Sequence, residues 1–121
     1  MRFTPLVSPA PDPDGLAGEF RSAREIGPVR LGERRLFFRK GMRQYYIPYE
    51  DVGRLFRRVV SVPARLCCGK GELNLEHLVI CGKDDRELAQ IQLPDARAAR
   101  ALMEQLRTVA PRAAFGRPVQ N

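Results

Sequence analysis

The chain has one histidine, three cysteines and three lysines among its 121 residues, and each shortage removes a class of chemistry. The lone imidazole, His77, has no second histidine and no Cys-x-x-Cys pair beside it, so no metal-ligand spacing is present. His77 and Cys81 share one strand face but lie roughly 13 Å apart at about 3.3 Å per residue, too far to ligate one ion. Cys67 and Cys68 are adjacent and point to opposite faces of an extended chain. A buried structural role is expected for the thiols, with no metal and no cofactor. An odd cysteine count gives no disulfide framework, which points to the cytoplasm. Gly-x-Ser-x-Gly elbows, phosphate loops and dinucleotide fingerprints are missing, so no catalytic residue and no enzyme is expected. There is no apolar run of about eighteen residues that could span a bilayer, and no signal-peptide pattern at the start. Membrane contact would be peripheral, at the inner face.

What is present fits one domain. Hydrophobic residues make up 44% and charged residues 29%, the balance of an ordinary globular chain. Pro5, Pro9, Pro11 and Pro13 crowd the start, and Pro111, Gly116 and Pro118 mark the end. The expected division is a flexible Pro-rich segment over 1–15, a single domain over 16–110 and a flexible tail over 111–121.

Charge is unevenly distributed. Arg30 to Arg65 holds ten basic residues against Glu33, Glu50 and Asp51, a net +7 that equals the whole chain's excess. If that charge forms one face, it would attract phosphates, nucleic acid or anionic lipid. The eighteen arginines against three lysines are also compatible with plain solvated surface.

The hydrophobic period reads as strands first and one helix last. Val29–Leu31 and Arg35–Arg39 are short strand-like runs, and Gly41 can take positive φ in a hairpin turn. Gln44–Ile47 is the next strand, ended by Pro48, and Tyr49–Gly53 is a turn or a single helical turn. Leu55–Val62 is β-branched and closed by Pro63. In Glu72–Cys81, Leu73, Leu75, His77, Val79 and Cys81 share a face, while Glu72, Asn74 and Glu76 begin the other. Gly82–Asp85 reads as a turn, and Glu87–Leu93 alternates as an antiparallel strand with one wet face. After Pro94 the period changes: Asp95 caps a helix whose stripe is Ala99, Leu102, Met103, Leu106 and Val109. That stripe should lie on the sheet or plug a barrel end.

The candidate binding residues are basic and aromatic. Arg39, Lys40 and Arg43 gather at the predicted hairpin tip, where cations and loop amides can hold a phosphate. Tyr45 and Tyr46 follow on opposite faces of the next strand. Arg57 and Arg58 must likewise face opposite ways, so only one of them can join a given patch. The alternative is that the tip is a charged edge that discourages sheet pairing.

Arg35–Arg39, then Tyr46–Val52, then Leu93-Pro94-Asp95 opening the last helix, resemble the bacterial pleckstrin-homology-like domains. The stretch Tyr45–Val52 followed by Arg54–Val59 carries most of the likeness, which covers about residues 27 to 110. The resemblance implies a bent antiparallel barrel or sandwich of about seven strands plugged by a C-terminal α-helix. Phosphoinositide-binding relatives place basic residues in and beside the first hairpin loop; Lys40 and Arg43 fall in a hairpin tip, without the closing Arg-x-Arg spacing. The expected function is therefore a non-catalytic module that binds a protein partner, itself or an anionic lipid surface. A second expectation is nucleic-acid binding through Arg30 to Arg65, with Tyr45, Tyr46 or Phe56 as stacking faces.

Overall fold

The computed structural model describes residues 2–7, 15–63 and 71–117. The chain forms β1 (Phe3–Pro5), α1 (Leu16–Ser22), β2 (Arg24–Ile26), β3 (Val29–Leu31), β4 (Arg35–Lys40) and β5 (Arg43–Pro48). A 3-10 turn over Tyr49–Asp51 leads to β6 (Arg54–Pro63), β7 (Glu72–Cys81), β8 (Glu87–Gln92), α2 (Ala96–Val109) and β9 (Ala114–Phe115). The first sheet is ordered β1-β5-β4-β3-β2 and the second β8-β7-β6-β9.

The architecture is mainly β, as the alternating runs imply, but it is two separate sheets rather than one closed barrel. Among the described residues there are nine strands, against about seven expected. Two of the nine, β1 and β9, pair in parallel with β5 and β6. They are three and two residues long, too short for alternation to show in a sequence. Both lie in segments expected to be flexible. Phe3 is nevertheless 6% exposed, and Leu6 donates to the Tyr46 carbonyl at 3.0 Å, because burying one aromatic ring repays ordering a few residues.

The sheets face each other across one core. Leu36, Phe38 and Ile47 from the first meet Leu55, Leu78 and Ile80 from the second, all essentially inaccessible to solvent. The helix stripe is confirmed: Ala99, Leu102 and Leu106 are buried, and α2 packs against β2, β6 and β7, bridging both sheets. Asp95 caps it, accepting from the Ala98 amide at 2.8 Å.

A smaller layer covers the back of the first sheet. Strand β4 buries both faces, so Phe37 points away from the main core into a cluster with Phe3, Leu16, Phe20 and Tyr46. Phe20 meets Phe37 edge-to-face at 5.4 Å, which seats α1 on the sheet. This seven-residue helix starts at Gly15, with φ of 87° and no side-chain cap. A helix that short lacks a readable period, and its formation is dictated by Leu16 and Phe20 one turn apart.

Strand β7 differs in a subtler way. The face beginning with Glu72, Asn74 and Glu76 is the one that turns inward, because it ends in Leu78 and Ile80. The opposite face packs Val79 and Cys81 with Phe56 in a separate cluster.

Candidate functional site

Folding divides the basic stretch instead of gathering it. Arg30 pairs with Glu25 at 3.3 Å, Arg54 with Asp85 at 2.9 Å, Arg57 with Glu76 at 2.6 Å and Arg58 with Glu87 at 2.9 Å. Arg35 pairs with Glu19. All five acids lie outside Arg30 to Arg65, so a count along the chain cannot see the neutralisation. Among the described residues, half of the stretch's cations are thus neutralised pairwise.

What remains among the described residues is Arg34, exposed just before β4, and the three cations of the β4–β5 tip; Arg65 lies outside the described residues. Among the described residues, no carboxylate stands within ion-pair distance of Arg39, Lys40 or Arg43. Gly41 has φ of 63°, which lets two residues close the hairpin, and Lys40 stands directly opposite Arg43. Like charges in register cost stability, and here no acid relieves them. The Lys40 ammonium donates to the Gln90 carbonyl at 3.3 Å and Arg39 Nε to the Gly41 carbonyl at 3.4 Å, neutral partners that leave both charges in place. Met42, between these cations, is 96% exposed. A patterning search passes over it, because one apolar residue in a turn has no period.

The other candidates separate from the tip. Tyr45 faces the main core and stacks on Phe38 with ring centroids 5.2 Å apart. Tyr46 is buried on the opposite side, against Phe37. Arg57 turns toward Glu76 with two hydrogen bonds, and Arg58 crosses the outer face of β7 to Gln90 and Glu87 on β8. Arg58 also lies over the Phe56 ring at 5.5 Å. The two arginines face opposite ways, as their spacing requires. The three aromatic side chains are thus engaged within the fold, and Tyr46 and Phe56 have no face left for a base.

The histidine and cysteines do not converge. His77 is 7% exposed, and its Nδ1 lies 3.1 Å from the Leu75 carbonyl. Burial, with the negative charges of Glu87 and Asp85 nearby, raises the Cys81 thiol pKa. Cys67 and Cys68 lie outside the described residues. Among the described residues, no three His, Cys, Asp or Glu side chains cluster as metal ligands, and no helix is long and apolar enough to cross a membrane.

No family model, no curated protein and no solved structure matches the chain.

Proposed function

We propose that this protein is a non-catalytic binding module of the pleckstrin-homology-like kind that docks on an anionic lipid surface through its β4–β5 tip. Two antiparallel runs, β2 to β5 and β6 to β8, followed by a helix spanning both sheets, support the family reading. The single observation that carries the function is the tip itself: three cations without acid partners around one exposed methionine. Cations of this kind engage lipid phosphates while the apolar side chain enters the headgroup region. Lipid is favoured over nucleic acid because the aromatic rings that would stack on bases are packed within the fold.

Each tip cation is worth about 1 kcal/mol at an anionic surface, so replacing all three weakens binding on the order of a hundredfold. The test is co-sedimentation with phosphatidylserine-containing vesicles, comparing the native chain with R39Q/K40Q/R43Q. Loss of binding in the triple variant is expected. Undiminished binding would remove the tip as the site.

A further inference from the structure

A cleft of about 430 Å³ opens where α2 passes the β6 and β9 edge of the second sheet. Met103 gives it an apolar floor, and Arg57, Arg100, Arg107 and Arg117 line it. Arg100, Met103 and Arg107 are three and four residues apart on α2, so they project from one helix face. None of them belongs to the tip. Among the described residues, Arg100, Arg107 and Arg117 have no ion-pair partner, and only Arg57 is neutralised, by Glu76. Glu104 is the one carboxylate in the lining. Four guanidinium groups against Glu76 and Glu104 leave a local charge of +2.

We infer that this cleft binds a phosphate monoester carried on an apolar body. A monoester has nearly two negative charges at neutral pH and three terminal oxygens, which suit guanidinium forks approaching from different elements. Arg107 is already held in place, its guanidinium 4.6 Å from the Phe115 ring centroid, so less freedom is lost when it binds. The apolar part of the ligand rests on Met103, a flexible side chain that adapts to irregular shapes. The volume lies within the range of roughly 300–1,000 Å³ found for small-ligand sites. The same chemistry could be presented by a soluble metabolite or by a lipid with a monoester headgroup.

Phenyl phosphate is the probe, titrated calorimetrically into the native protein, R100Q/R107Q and R39Q/K40Q/R43Q. Saturable binding is expected, weakened by about tenfold or more in R100Q/R107Q and unchanged in the tip variant. Inorganic phosphate should bind less tightly than phenyl phosphate, since it leaves the apolar floor unused. Both α2 arginines are exposed, so the melting temperature of R100Q/R107Q reports whether the fold is intact. Phosphatidic-acid vesicles distinguish the sources. Competition between vesicles and phenyl phosphate identifies a lipid ligand, and its absence with soluble binding intact identifies a metabolite; both keep the cleft. No saturable binding, or equal affinity in R100Q/R107Q, overturns the inference, and neither result bears on the tip.

Discussion

Replacing Glu19 tests the account of how α1 is fixed to the first sheet. Its carboxylate accepts from the amides of Arg34 and Arg35 at 2.8 and 2.9 Å and also pairs with the Arg35 guanidinium. The two side chains are only 13% and 15% exposed, so solvent screens the pair weakly. Glu19→Ala removes one charged acceptor from two backbone donors and leaves the Arg35 cation half-desolvated. Charge-assisted hydrogen bonds contribute about 1.5–3 kcal/mol each, and breaking a buried pair costs about 3–5. The exposed Arg34 amide regains water, which brings the net expectation to about 3 kcal/mol. For a domain of this size that lowers the melting temperature by roughly 10 °C. Urea melts of Glu19→Ala, Arg35→Met and the double variant form a cycle with an expected coupling of at least about 1.5 kcal/mol. In the double variant no unpaired cation remains, so it should be more stable than the sum of the single losses predicts. A loss below about 0.5 kcal/mol in Glu19→Ala would refute the latch, because that is the size of an ordinary surface change.

Two further outcomes follow from local geometry. The Tyr49 hydroxyl donates to the Gly32 carbonyl at 2.7 Å, and burial, with Glu19 nearby, pushes its pKa above the ordinary 10.0. The unfolded chain's tyrosine then ionises first, so the stability from this group is complete below pH 10 and is lost as pH rises beyond it. Tyr49→Phe should cost about 1 kcal/mol at neutral pH and flatten the alkaline decline in denaturant melts; an unchanged alkaline slope would contradict this. Gly53 sits where the chain crosses between sheets, and a Cβ there would lie 2.0 Å from the Gly82 carbonyl oxygen. Gly53→Ala should therefore cost about 3 kcal/mol or more in a thermal melt, and a native melting temperature would show that the crossing can relax.

The long elements were legible because their periods are long enough to read. Strand β7 matches its predicted bounds, Glu72–Cys81, and the Asp95 cap and α2 stripe are where spacing places them. The short elements were not: tertiary burial of Phe3 and Phe20 rather than local pattern decides β1 and α1, and β2 and β9, three and two residues long, are too short to show a period. Within the candidate site, the hairpin tip was readable from Gly41 and its flanking cations. The fate of Arg30, Arg35, Arg54, Arg57 and Arg58 was not, because each finds an acid that only the folded sheets and α1 bring near. Tyr46 was misleading for the same reason: an aromatic beside cations suggests a ligand face, and only α1 and β1 show that its ring is covered.

The most direct test of tip docking uses the absence of tryptophan from the chain. Met42→Trp places one indole at a position that is 96% exposed, so its emission reports on the tip alone. The account predicts a blue shift with phosphatidylserine-containing vesicles, no shift with neutral vesicles, and reversal by salt but not by a short RNA. Emission that stays at its aqueous position on anionic vesicles, or that shifts only with RNA, would contradict it.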